Sequence, residues 1–404
     1  MDLLVLDTIH GGRELAAHLE ARGHRVDRVD VYRGLEGIPE RDAVRRSYDM
    51  IIAPVHLDPD HLLLAGGPRI THHDAVRMLL TDRAPSPMVE VTGAQGKTTT
   101  AHAIAHLMPG AGVLHTSRGT FRYPSRELLW RRSITPASVL PAAEYARAMG
   151  GWLVAEESLG VTGAGEVGVL TSAGDYLIAS GKRSSLAAKI ASLASSPRCL
   201  VPAGLPAAPP RAVRLDTAAG VEGDCCRYHL EGMEGEINNP LLRIPTYANA
   251  IAMAAAVGCM LGLPPDPLAS FTSIEGRMHL SREGDLVVVV DGASSGTTAE
   301  TAIEAAGYAR SVSGREDLAL VIGEEAHAVC EGFPPAEVRK AIAAIRPSVL
   351  VLVGKTAREL GATREGTADF PGVTVMAETL DEGKAAARAR ITAGSLVLAV
   401  KTWR

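Results

Sequence analysis

Two glycines, Gly93 and Gly96, stand between an apolar run, Met88 to Thr92, and a lysine followed by three threonines, Lys97 to Thr100. Glycine has no β-carbon and tolerates positive φ, so this turn can bring its N–H groups, those of Ala94 and Gln95 among them, against phosphate oxygens. A helix starting near Lys97 adds the positive end of its dipole. Lys97 offers a point charge to the β and γ phosphates, and Thr98 or Thr99 a hydroxyl to magnesium. The chemistry these residues point to is binding of a nucleoside triphosphate with Mg2+. The general Walker spacing asks for a glycine five positions before Gly96, where this chain has Val91.

A strand must deliver that loop and an Ala-rich helix, Ala101 to Met108, must receive it. With 404 residues the chain has room for two or three domains, each with its own core. A hydrophobic fraction of 46% and a net charge of -5 describe an ordinary globular protein with no basic excess for nucleic acid. The apolar stretch Ala248 to Leu263 is broken by Asn249, Gly258 and Gly262, which fits a buried helix and not a membrane span. Met1 to Asp7 lacks a basic leader and reads as a first strand, so no secretory signal is expected. Cys199, Cys225, Cys226, Cys259 and Cys330 show no metal-binding spacing and read as reduced thiols of a cytoplasmic protein.

The opening segment alternates strand-like runs (Leu3 to Leu6, Val26 to Val31, Met50 to Pro54) with a helix, Arg13 to Arg22. Its first strand ends in Asp7-Thr8-Ile9-His10-Gly11-Gly12, at the sheet edge where open α/β folds place ligands, making His10, Gly11 and Gly12 candidate substrate contacts. Pro85-Ser86-Pro87 marks a boundary. Strands Trp152 to Ala155 and Val167 to Leu170, a helix near Ser184 to Ser195, a Pro- and Ala-rich crossing Val201 to Pro210, short strands near Tyr228 to Leu230 and a helix Tyr247 to Leu261 follow. From Leu286 the strands Leu286 to Val290, Leu318 to Ile322, Val349 to Val353, Val373 to Met376 and Leu396 to Val400 imply a second doubly wound sheet. The expected domains are 1–85, 86–280 and 281–404.

Glu156 and Glu157 emerge at the end of an apolar strand, where a carboxylate suits magnesium. Lys189 lies about 60° around its helix from Leu186, so it flanks the apolar stripe formed with Ile190 and Leu193. Asn249 opens an Ala-rich helix and suits a nucleotide contact or a helix cap.

The ordered set resembles the Mur ligase family of peptidoglycan amino-acid ligases and folylpolyglutamate synthases. Its carriers are Thr92-Gly93-Ala94-Gln95-Gly96-Lys97-Thr98-Thr99, Glu156-Glu157-Ser158-Leu159-Gly160, Ala187-Ala188-Lys189, Gly276-Arg277-Met278 and the strand ending in Asp291. The resemblance implies an α/β fold of three domains, a central P-loop ATPase domain between Rossmann-like N- and C-terminal domains. It implies Glu156 as magnesium ligand, Lys189 as a carbamylated lysine at a second magnesium, Arg277 at the γ-phosphate and Asp291 near the ribose. Asp175 keeps half of the family's Asp-His metal pair, but Tyr176 replaces the histidine, and the His-Asn of the adenine motif before Asn249 is absent. Gly292-Ala293-Ser294-Ser295-Gly296-Thr297 lacks the usual basic residue of the acceptor site.

Those departures, with the opening Val5 to Gly12 and the closing Val400-Lys401-Thr402-Trp403-Arg404, are similar to a Mur-like branch of methanogenic archaea that closes a carbocyclic ring on a nickel tetrapyrrole. The implied reaction is ATP-dependent activation of a propionate carboxylate as an acyl phosphate, attacked by a carbon of the same macrocycle. An amide ligase joining an amino acid to a carboxylate stays open, as does an ATP-hydrolysing switch.

Overall fold

Runs of aliphatic residues that are apolar on both faces become parallel strands when helices cover each side. The strand Asp2–Leu6 does so: Leu3 and Val5 pack with Leu15, Leu19 and Val76, while Leu4 and Leu6 pack with Ile51, Leu57 and Leu63. This is a computed structural model describing residues 1–284, 287–294, 296–325, 332–361 and 372–402. Leu286, Ser295, Cys330, Trp403 and Arg404 lie outside the described residues. The chain forms two compact units, Met1–Phe271 and Thr272–Arg404.

The first unit opens with a four-stranded parallel sheet in the order Arg25–Val29, Asp2–Leu6, Met50–Ala53, Arg69–Thr71. Thr71 caps the helix His72–Leu80 through a capping box with Asp74, which places His72 and His73 in its first turn. An eight-stranded sheet follows. Its middle runs Val167–Leu170, Met88–Thr92, Trp152–Glu156, all parallel, so three strands end side by side at one edge. Gly119–Tyr123 and Glu127–Trp130 extend it antiparallel, an extension the sequence pattern does not announce.

The helix Pro245–Met260 is apolar all round because it is buried all round. It packs on the loop-bearing helix Lys97–Leu107 and on two strands, Ala219–Glu222 and Cys225–Leu230, of a three-stranded antiparallel sheet completed by Met233–Asn238. The Tyr228 region is therefore a small sheet, larger than the short strands expected.

The second unit holds a six-stranded sheet in the order His279–Glu283, Val287–Asp291, Gly394–Lys401, Leu318–Glu324, Val349–Val353, Val373–Ala377. All neighbours pair in parallel except the first two. The strand His279–Glu283 escapes sequence reading because Leu280 alone among its five residues is aliphatic. Among the described residues the cysteines Cys199, Cys225, Cys226 and Cys259 are free thiols, and no helix is long and apolar enough to cross a membrane.

Burial pushes His72, His73 and His115 down to about 4, so all three are neutral at pH 7. Their folded values lie below the unfolded value of about 6.5, so the unfolded chain binds more protons between these limits. Stability is complete above pH 6.5 and falls as pH drops toward 4, by about 2 kcal/mol per histidine between pH 7 and pH 5. His73→Gln is expected to flatten the loss of unfolding free energy over that interval. Parallel curves for variant and parent would refute this account.

Candidate active site

The loop after Met88–Thr92 adopts the geometry its glycines permit. Gly93 has φ 148° and Gly96 φ 81°. A β-carbon on Gly93 would meet Thr171 Oγ1 at 2.1 Å, so the loop can lie this close to the neighbouring strand end only as glycine. Thr171 also holds the loop by donating to the Gln95 carbonyl at 2.5 Å. Gly96 leads into Lys97–Leu107 with no side-chain cap, and the positive end of this helix faces the loop, which suits an anion. The N–H groups of Ala94 and Gln95 converge on Ser172 Oγ at 3.1 and 3.0 Å, an oxygen where a phosphate oxygen would be received. Lys97 Nζ folds back onto the Gly93 carbonyl at 3.0 Å.

Glu156 is the last residue of its strand and is 2% exposed. Its Oε2 accepts from Thr98 Oγ1 at 2.9 Å and from the Ser117 N–H at 3.0 Å, and Thr98 Oγ1 lies 3.2 Å from Ser117 Oγ. Neighbouring ligands around an octahedral Mg2+ at 2.0–2.1 Å stand roughly 2.9 Å apart. Thr98 and Glu156 match that spacing and are hard oxygen donors, so they fit the ion. Ser117 was not legible as a partner, since it sits on an unanticipated hairpin turn. Thr99 is buried in the helix beside Thr98.

Glu157, the next residue, is fully buried and faces different chemistry. Glu90 accepts from the N–H groups of Thr162, Gly163 and Gly165 and from the Thr162 hydroxyl. Burial, reinforced by the Glu90 charge, pushes the Glu157 carboxyl well above the usual carboxylate range. Glu157 is therefore held neutral, and as an acid it can donate to Glu90.

Lys189 lies deeper than a flanking position. It is fully buried within Ser185–Leu193, and Nζ has no hydrogen-bond partner. The ammonium position is 4.7 Å from the Tyr176 ring centroid. Burial, and then the charge of Lys97, lowers Lys189 to about 8, so the neutral amine becomes accessible at a lower pH than for an ordinary lysine. Asp175 instead receives Ser184 Oγ at 2.8 Å, Ser185 Oγ at 3.1 Å and the Leu186 N–H at 2.9 Å, so it anchors the start of the Lys189 helix. Asn249 lies inside Pro245–Met260, not at its cap, and donates to the Thr171 carbonyl at 3.1 Å.

The first turn of the chain forms a second cluster. Asp7 is buried with φ 73°, a conformation unusual for a residue with a side chain. Gly11 has φ 94°, and a β-carbon on Gly12 would strike the Asp7 carbonyl at 1.9 Å. Burial alone would raise the Asp7 carboxyl, but the hydrogen bond with His10 and the His56 imidazole 3.5 Å away hold it well below the usual range. A cavity of about 220 Å³ lies beside this turn, lined by His10, His56, His72, His73, Ser158 and Leu159. Ser158 and Leu159 directly follow Glu156 and Glu157, and His73 Nε2 donates to the Ser158 carbonyl at 3.2 Å. His56, His72 and His73 were not singled out in the sequence because they converge from two separate segments, the turn after Met50–Ala53 and the first turn of His72–Leu80.

In the second unit Arg277 donates to Ser294 Oγ at 2.8 Å. Asp291 ends its strand and accepts the Ala293 N–H at 3.0 Å.

Residues 281–402 match the family described as coenzyme F430 synthetase CfbE, C-terminal domain. The coenzyme F(430) synthetase of Methanosarcina acetivorans is 32% identical, covering 83% of this chain and 86% of that protein. Among solved structures, the UDP-N-acetylmuramate–alanine ligase MurC of Thermotoga maritima aligns with TM-score 0.57 at 13% identity, over 100% of this chain and 96% of that one. MurF ligase of Thermotoga maritima, solved with ADP, aligns with TM-score 0.54 at 15% identity, over 90% and 87%. Fold and loop together define a Mur-type ATP-dependent ligase. Within that class, the chain belongs to the coenzyme F(430) synthetase family.

Lys97→Ala is expected to lower kcat/KM by at least about 100-fold, with the circular dichroism spectrum and melting temperature retained. A variant with parental activity would refute the cradle.

Proposed function

We propose that the protein turns a propionate carboxylate of a nickel tetrapyrrole, the linear seco-F(430) acid, into an acyl phosphate and closes the carbocyclic ring of coenzyme F(430). The likeness to a coenzyme F(430) synthetase over 83% of this chain carries this reading. The carboxylate oxygen attacks the γ-phosphorus of ATP and ADP leaves. A carbon of the same macrocycle then gives up its proton and attacks the acyl carbon, the acyl C–O bond breaks, and phosphate departs. The macrocycle loses one water overall.

This chain's task is positioning and charge neutralisation. The amides of Gly93 to Gly96 and Lys97 hold the phosphates. Thr98 and Glu156 would hold Mg2+, which supplies charge neutralisation at the phosphoryl oxygens. Lys189, buried and lowered in pKa, is proposed to carry the carbamate of a second metal site, with Asp175 fixing its helix. Asn249, Arg277 and Asp291 are proposed nucleotide contacts by family resemblance, and His10, Gly11 and Gly12 substrate contacts. We further propose the domains 1–85, 86–280 and 281–404 and a cytoplasmic protein whose partner is the small-molecule macrocycle.

Purified protein with ATP, Mg2+ and the seco-acid is expected to yield a product lighter by one water, with a changed visible spectrum and no added amine. Turnover that requires an amino acid would assign the amide-ligase reaction instead.

A further inference from the structure

His10 is built as a presented imidazole. Its Nδ1 lies 2.8 Å from Asp7 Oδ2, and Asp7 Oδ1 is already occupied by the N–H groups of Ile9 and His10 at 2.9 and 3.1 Å. A carboxylate on Nδ1 fixes the N–H there and leaves Nε2 as the nitrogen with a lone pair, the second-shell arrangement that orients histidines toward metals. The ring is further clamped edge-on by His56 at 4.9 Å and Tyr32 at 5.5 Å, and these two stack on each other at 5.7 Å.

The same ring is open on its remaining side. The His10 side chain is 48% exposed, beside exposed Ile9 and Tyr32. Arg33 is near enough for its charge to act on His10, which suits a substrate bearing carboxylates. The adjoining 220 Å³ cavity is smaller than the roughly 300–1,000 Å³ of small-molecule pockets. A macrocycle must therefore lie over its mouth, with one substituent entering toward Ser158 and the strand end bearing Glu156.

We propose that His10, oriented by Asp7, ligates the nickel of the macrocycle axially through Nε2, with Ile9 and Tyr32 against the macrocycle's face. This rests on the nickel-tetrapyrrole reading above. One coordinate bond forms from the imidazole lone pair to nickel, any water in that axial position leaves, and no electron is transferred. Asp7, His10 and His56 also each offer one ligand atom within 4.8 Å of the others, a set that could chelate a bare ion. The exposure of His10 and its hydrogen bond to Asp7 favour the axial arrangement.

The test titrates full-length parent and His10→Ala protein with the nickel seco-acid and with its metal-free counterpart. Binding is followed by visible absorption and nickel X-ray absorption. The parent is expected to shift the nickel macrocycle's band and add one nitrogen neighbour to nickel. His10→Ala should lose both and bind about tenfold more weakly, with ATP affinity and melting temperature retained and the band shift restored by added imidazole. The metal-free macrocycle should bind the two proteins equally. Identical nickel spectra for parent and variant would overturn the ligation alone, as would stoichiometric capture of aqueous Ni2+ lost in His56→Ala with an unshifted macrocycle band. Failure of either macrocycle to bind protein that still binds ATP would overturn the functional reading together with this inference.

Discussion

A threonine hydroxyl on one strand-to-helix turn meets a carboxylate at the end of the adjacent strand: Thr98 Oγ1 and Glu156 Oε2, 2.9 Å apart. The contact exists because Met88–Thr92 and Trp152–Glu156 are parallel neighbours and so release their chains at the same edge. The phosphate loop and the metal carboxylate are thereby brought together by sheet pairing. On the other flank, Val167–Leu170 releases Thr171 and Ser172, which hold the loop through its Gln95 carbonyl and two of its amides. The site is an edge of three strands, and the strands on both flanks touch the loop.

Burying acids at such an edge has an electrostatic consequence. Glu90, Glu156 and Glu157 are all nearly inaccessible, and three uncompensated carboxylates there would be strongly destabilising. Glu90 is stabilised by a ring of N–H donors, Glu156 by Thr98 and Ser117, and Glu157 by retaining its proton. Of the adjacent pair Glu156 and Glu157, it is Glu156 that turns its carboxylate toward the Thr98 hydroxyl, where a cation would be held. The buried Lys189 amine, lowered by its surroundings, extends the same logic to a base.

Much of this was legible in the residues. The loop from Gly93 to Thr98, the strand ending at Glu156 and the helix bearing Lys189 are signalled by local spacing, and each forms at the expected place. What local spacing cannot convey is convergence. Ser117, Ser172 and Glu90 reach the site through pairings between distant strands, and His56, His72 and His73 join His10 only after the first sheet folds. Lys189 read as the rim of an amphipathic helix, yet it is buried, because an angle around a helix does not say how far neighbouring elements wrap it. Asp7 begins the turn in which only His10, Gly11 and Gly12 read as substrate contacts. Its importance shows in a left-handed backbone and in the Gly12 contact that leaves no room for a β-carbon.

The central claim is that ATP is used to convert a substrate carboxyl group into an acyl phosphate. Label transfer tests it directly: the seco-acid is prepared with heavy oxygen in the reacting carboxylate, turned over with unlabelled ATP in ordinary water, and the released phosphate is weighed by mass spectrometry. The account predicts one heavy oxygen in each phosphate formed. Phosphate carrying only oxygen from ATP and solvent would contradict it.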